Sequence, residues 1–355
     1  MLQSECFASD PASLANAART HSRLNQLYRA VLVPGSSITA NIADAEQMDS
    51  LLLYLEKHGQ HVDSLALSSN WDFHSAMLRD DSEALNDSVS AKLWQVPANQ
   101  QLQSLACSNL FLDPKRSAAD GFQKVLAAGA PLKKLQLSEC LVGNTHGDRL
   151  YHSAWQALAA ALTKLPALEH LSITDCYAMY SNGTPAVFDV SQEMFDSMQE
   201  LTYLELIDIG SYVEEPKLSA LTGLVDLRLH FTDSHNGVTS DMLLGVSSLT
   251  RLELSAFDGI DAGVLAEKPL LQHLALPRLD TDPLELMSQL QNMQQLTYLD
   301  LSGSDLKWGS PPAAAYAALT ASSRLQHLDI SSCQVRVGFW QHMFPAGRQL
   351  PSLRS

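Results

Sequence analysis

The chain has 355 residues, 46% of them apolar and 17% charged, with a formal net charge of −16; an ordinary soluble domain is about 25% charged. Nucleic-acid binding by counterion release and electrostatic membrane anchoring both need clustered cations, and this composition argues against each. No apolar run approaches the roughly 20 residues that span a bilayer, and the first ten residues lack the basic region and apolar core of a secretory signal.

The first element in chain order is a helix. Asp10 is a good N-cap and Pro11 a good first helical residue, and Leu14, Ala17, Ala18, His21, Leu24 and Leu27 then follow helical spacing. Phe7, Asp10-Pro11, Ser13-Leu14, Ala17-Ala18-Arg19 and Arg23-Leu24 give this segment a pattern that resembles the C-terminal half of an F-box, although the Leu-Pro opening of that motif is absent. The resemblance implies a substrate receptor of a cullin-type ubiquitin ligase, with Pro11, Leu14 and Leu24 set against a Skp1-like adaptor. An amphipathic cap over the first repeat would show the same spacing. Residues 1–59 are therefore read as an N-terminal helical segment, either a cap or a partial F-box.

From residue 60 onward one pattern returns. L-x-x-L-x-L or a close variant occupies 102–107, 132–137, 168–173, 201–206, 224–229, 249–254, 271–276, 296–301 and 325–330. Residues 62–67 form a degenerate first copy, and Leu350-Pro-Ser-Leu353 opens another that the sequence does not finish, so the natural product is expected to continue. The pattern resembles the leucine-rich repeat family, as a mixture of its cysteine-containing and ribonuclease-inhibitor-like classes. The implied fold is an α/β solenoid over 60–355, a horseshoe with parallel strands on the concave face and helices or turns outside. The chemistry agrees: in x-L-x-L-x both leucines point one way and the intervening residues the other. One repeat cannot bury its leucines alone, whereas a stack can. The early repeats leave room for a full outer helix, and 153–165 reads as one; the later, shorter repeats hold only a turn or a short helix. Asp80–Asp87 and Tyr177–Val190 read as insertions at the rim.

Cys140, Cys176 and Cys333 each fall three residues after the last inward residue of their strand, where this family places Asn or Cys to bond backbone at the turn; Asn70 fills that position in the first copy. Cys107 replaces an inward leucine. No C-x-x-C pair is present, which argues against a zinc ribbon and, with the buried placements, favours a reducing, cytoplasmic setting. His170, His273 and His327 share one repeat position, but His273 and His327 lie two repeats apart, about 10 Å, too far for one zinc. No nucleophile elbow, zinc-protease or phosphate-loop motif occurs, so no enzyme, metal or cofactor is expected.

Aligning the copies sorts the outward residues into columns. The first two copies offer Ser64, Ala66, Ser104 and Ala106, small side chains with little to grip. From Tyr203 onward the column before the middle leucine runs Tyr203, Asp226, Arg251, His273, Tyr298, His327, and the column after it carries Glu205, Arg228, Glu253, Asp300 and Asp329. Aromatic residues and Arg dominate interface hot spots, so this stretch is the expected protein-binding surface of a non-catalytic scaffold. The same Arg and carboxylate alternation could instead be ion pairing between neighbouring strands. A regulator of a small GTPase is a further, weaker reading of such a solenoid.

Overall fold

The computed structural model describes residues 36–42, 45–69, 102–112, 131–142, 158–176, 178–179, 185–186, 191–208, 217–230, 239–255, 261–279, 282–344 and 352–353. The chain divides into two compact units, the second beginning at Val187.

In the first unit the long strands are β1 (Ser36–Asn41), β2 (Val62–Ser68), β3 (Ser104–Ser108), β5 (Lys134–Ser138) and β7 (His170–Thr174), paired in that order and all parallel. Two-residue strands β4 (Phe111–Leu112) and β6 (Leu141–Val142) pair beyond the turn. In the second unit β10 (Tyr203–Ile207), β11 (Asp226–His230), β12 (Arg251–Ser255), β13 (His273–Ala275), β14 (Tyr298–Asp300) and β15 (His327–Asp329) pair consecutively and in parallel. The middle leucines are register partners throughout: Leu65 with Leu105, Leu105 with Leu135, Leu204 with Leu227, Leu227 with Leu252. In β3, β5, β10, β11 and β12 both inward residues are buried and the flanking ones only half-buried, so alternation sets the inner and outer faces as the sequence implied.

One parallel strand lies ahead of residue 60. β1 pairs with β2 through Ile38 opposite Leu65 and Ala40 opposite Leu67, and α1 (Ala45–His58) connects them. Within the segment read as a cap or partial F-box, residues 36–58 follow the same strand–helix–strand plan as the repeats. Ile38 and Ala40 alternate inward without any leucine, and α1 buries Met48, Leu51 and Leu55 at helical spacing. At the other end, Ser352 and Leu353 are not in a strand, so the copy expected there is not formed by these residues.

The outer segments shorten as the spacing implied. Helix is described at 158–162, and Leu158, Ala161 and Leu162 are buried. Beyond it lie α2 (Gln192–Ser197), α3 (Ser240–Leu243), α4 (Gly263–Ala266), α5 (Pro283–Leu290), the 3₁₀ helix Ala313–Thr320 and α6 (Phe339–Met343). The side chains of Ser191 and Asp282 cap α2 and α5. Within the 177–190 insertion, β8 (Ala178–Met179) and β9 (Pro185–Ala186) pair antiparallel as a short ribbon. Asp80–Asp87 and the segment carrying Pro11, Leu14 and Leu24 lie outside the described residues.

Seven of the strands leave the sheet through the same backbone corner. The fourth residue after the middle leucine is left-handed in seven described repeats: Asn109, Glu139, Asp175, Asp208, Arg278, Gly303 and Ser332, with φ between 51° and 75°. Its N–H donates to the next strand, as from Glu139 to Thr174 O (2.9 Å) and from Arg278 to Ser302 O (2.7 Å). The corner turns the following residue inward: Leu110, Cys140, Cys176, Leu279 and Ser304 are buried there. Cys140 Sγ donates to Cys107 O at 3.4 Å and Cys333 Sγ to Leu301 O at 2.9 Å, the backbone-bonding role expected of thiols at this position. Cys107, Cys140, Cys176 and Cys333 are free, and burial pushes the thiols of Cys107 and Cys176 well up from their usual range.

Candidate functional site

The expected surface lies wholly in the second unit, on the open face of β10–β15. Strand register makes the columns physical. Tyr203 sits beside Asp226, Asp226 beside Arg251, Arg251 beside His273, His273 beside Tyr298, and Tyr298 beside His327. In the second column Glu205 neighbours Arg228, Arg228 neighbours Glu253, and Asp300 neighbours Asp329, with Ala275 between Glu253 and Asp300.

The structure ties Tyr203, Glu205, Asp226, Arg228, Arg251, Glu253 and His273 into one network. The Arg228 guanidinium forks onto both Asp226 carboxylate oxygens at 3.2 Å and donates to Glu205 Oε1 at 3.3 Å. Its Nε is 3.7 Å from Glu253, and its guanidinium carbon stands 5.2 Å over the Tyr203 ring. Arg251 hydrogen-bonds Glu253, and its Nε lies 3.9 Å from Asp226. His273 Nε2 is 2.8 Å from Glu253 Oε1. The hydrogen bond from His273, with Arg251 and Arg228 adding to it against the cost of burial, holds the Glu253 carboxyl at about 2. Burial first, and the Glu205 charge next, push the Tyr203 phenol upward, so it stays a neutral donor.

The pairing of Arg228 with Glu253 and of Asp226 with Arg251 is the neighbouring-strand arrangement that the alternation of signs allowed. Both arginines are therefore engaged within the face rather than held out to solvent.

Past this network the face changes character. His273, Tyr298 and His327 stack as three nearly parallel rings, with centroids 3.9 and 4.4 Å apart and planes 11° and 9° from parallel. Parallel strands about 4.8 Å apart hold successive side chains at the spacing rings prefer when stacked. Asp300 and Asp329 lie alongside; one oxygen of each accepts the backbone N–H two residues on, from Ser302 and Ser331, both at 2.8 Å. Among the described residues no ion pair reaches either carboxylate. Burial, then the charges of Asp300, Glu253 and Asp329, raise the Tyr298 phenol above its usual value.

Sequence reasoning placed these residues in columns but did not separate the neutralised half from the uncompensated half. The signal was available, because Arg228 and Arg251 fall between Glu205, Asp226 and Glu253 in the columns, whereas no Lys or Arg stands beside Asp300 and Asp329. It also missed the neighbouring pair of His230 Nε2 and Asp208 Oδ1 at 3.8 Å. In the first unit the corresponding face carries Ser64, Ala66, Ser104 and Ala106, as read, followed by Lys134, Gln136, His170 and Ser172. No His, Cys, Asp and Glu group among the described residues is arranged to hold a metal ion, and no described helix is long and apolar enough to cross a membrane.

No protein-family model matches the sequence, and a search of characterised proteins gave no match. Among solved structures, the chain is similar to an internalin, InlF of Listeria monocytogenes, at 14% identity and a TM-score of 0.47, covering 91% of this chain and 86% of that one. It is similar to a chain of the octameric complex of Latrophilin 3, Unc5D and FLRT2, at 19% identity and a TM-score of 0.45, covering 83% and 74%. It is also similar to a chain of the yeast Rad7–Elc1 complex, at 14% identity and a TM-score of 0.44, covering 93% and 77%. Nine copies of L-x-x-L-x-L, each delivering one strand in register to a parallel sheet, give the described residues the strand arrangement of a leucine-rich repeat fold.

Proposed function

We propose that the chain is a non-catalytic protein-interaction scaffold whose partner docks on the open sheet face of β10–β15. The observation that carries this reading is the registered pair of columns from Tyr203 to Asp329, with aromatic rings and charges on half-exposed positions, where the first two copies, 62–67 and 102–107, carry small residues. Aromatic side chains fixed by stacking lose little freedom on binding, which suits them to be anchors. Affinity purification tests it, comparing the wild-type chain with Tyr203→Ala/Tyr298→Ala. The double variant is expected to lose the main partners while remaining folded; an unchanged partner set overturns the reading.

A more specific reading makes the chain a substrate receptor of a cullin-type ubiquitin ligase. It rests on Asp10-Pro11, Ser13-Leu14, Ala17-Ala18-Arg19 and Arg23-Leu24 of the F-box-like segment. Capture of a Skp1-like adaptor that is lost in Leu14→Asp/Leu24→Asp would support it. Loss of stability in that variant, with no adaptor bound by the wild type, leaves the segment as a cap.

A further inference from the structure

The face carries two arginine environments of similar chemistry, one occupied from within the chain and one open. In the first, the Arg228 guanidinium lies over the Tyr203 ring, forks onto Asp226 and touches Glu205. An aromatic plane, a carboxylate on the same strand face and a second carboxylate on the adjacent strand together hold one planar cation. In the second, the aromatic plane is His327, the exposed end of the His273–Tyr298–His327 stack. The carboxylate on its own strand is Asp329, and the one on the adjacent strand is Asp300. Asp300 and Asp329 are direct register neighbours, and like charges placed so repel. Asp300 takes the Ser302 N–H on one oxygen, and Asp329 takes the Ser331 N–H and hydroxyl, which leaves each carboxylate with lone pairs for a further donor. No cation of the described residues answers them, whereas Glu205, Asp226 and Glu253 share two arginines.

We propose that the stretch of sheet face formed by His273, Tyr298, Asp300, His327 and Asp329 takes an arginine-bearing basic segment of a partner protein. The inference rests on the scaffold reading and specifies its partner's chemistry. An incoming guanidinium continues the ring stack over His327 and forks onto Asp329 and Asp300, repeating the Arg228 arrangement. Arginine is favoured over lysine because its planar fork matches both the ring face and the carboxylates, while an ammonium offers only a point charge. Asp300 and Asp329, whose charges add to burial in raising the Tyr298 phenol, act at the same place.

Fluorescence anisotropy of the full chain with a labelled Gly-Arg-Gly-Arg-Gly peptide, and with its lysine and citrulline counterparts, tests the proposal. The arginine peptide is expected to bind with a Kd below about 1 mM, at least tenfold tighter than the citrulline peptide and severalfold tighter than the lysine one. Asp300→Asn/Asp329→Asn should weaken it at least tenfold with the melting temperature kept, and raised salt should weaken it in the wild type only. Absence of binding, equal binding of the citrulline peptide, or undiminished binding by the Asn double variant overturns the proposal. If the peptide fails while Tyr203→Ala/Tyr298→Ala still loses its partners, the scaffold reading stands and only the basic chemistry falls. If that variant keeps its partners, the face itself is not the docking surface.

Discussion

Lys268 is the residue least suited to its surroundings. Three residues before the first leucine of each copy, a tight turn buries one side chain: Leu165, Met198, Leu221, Val246, Lys268 and Met293 in successive repeats. Lys268 is 1% exposed in a column whose one other buried polar member among the described residues is Ser322, and its Nζ donates to Leu243 O at 3.0 Å. Burial lowers its pKa from 10.5, so the folded state sheds a proton more readily than the unfolded chain. Stability should therefore rise as pH climbs toward 10.5, where the unfolded chain still holds protons that the folded one has lost. Lys268→Met, matching Met198 and Met293, is expected to stabilise the fold by about 1–3 kcal/mol near neutral pH in urea titrations and to abolish that alkaline rise. Glu253 gives the opposite signature. Its carboxyl is held at about 2 against an ordinary 4.5, so its contribution is fully present above pH 4.5 and fades as pH falls toward 2. With partial solvent screening that contribution is about 1–2 kcal/mol. Glu253→Gln should cost that much at neutrality, and the gap to wild type should close on acidification between those values. The left-handed corners add a third case. Glu139 and Arg278 adopt a backbone conformation that costs a non-glycine residue about 1 kcal/mol, so Glu139→Gly or Arg278→Gly should raise stability by about 0.5 kcal/mol after glycine's greater unfolded-state freedom is counted. Gly303→Ala runs the other way, because its Cβ would meet Arg278 Cγ at 3.1 Å.

At the scale of elements, β1 and α1 show where the leucine pattern stops being a guide. The element that opens the array presents Ile38 and Ala40 rather than leucines, too short an alternation to stand out in sequence. Its partner helix carries the plainer signal, Met48, Leu51 and Leu55 on one face, but a helix alone does not announce the strand before it. If these elements are integral to the stack, Ile38→Ala and Leu51→Ala should each cost about 2–4 kcal/mol, as fully buried truncations do. Hydrogen exchange should then report faster opening of β2 in both variants. Losses below about 0.5 kcal/mol would mark β1 and α1 as an accessory layer. The outer segments were readable as lengths but not as types. Five alanines and Leu319 in Ala313–Thr320 suggest an α-helix by propensity, and the chain winds there as 3₁₀ instead, with Tyr316 buried and its hydroxyl donating to Leu306 O at 3.0 Å.

For the molecule as a whole, repetition is what made the fold legible. Each leucine position is tested again in the next copy, so register, inner face and corner thiols all follow from one alignment of the chain with itself. The binding surface was legible only in outline, because outward positions obey no periodic constraint. That Arg228 and Arg251 are spent on neighbouring strands could be read from the carboxylates flanking them in the columns, but the ring stack and the individual contacts depend on rotamers that column position alone does not set. Global charge adds one expectation. At −16, association with a basic partner should speed up as salt is lowered, and the rate's salt dependence should flatten in Asp300→Asn/Asp329→Asn if those carboxylates steer the encounter.

The column of three rings also carries its own reporter. Stacked rings with centroids 3.9 and 4.4 Å apart shield one another's protons, so the carbon-bound ring hydrogens of His273 and His327 should resonate upfield of ordinary histidines. Whatever settles on the far side of His327 extends that magnetic shadow or breaks it. A one-dimensional proton spectrum of the unlabelled chain would then register occupancy of this spot, with the tyrosine between them as the relay.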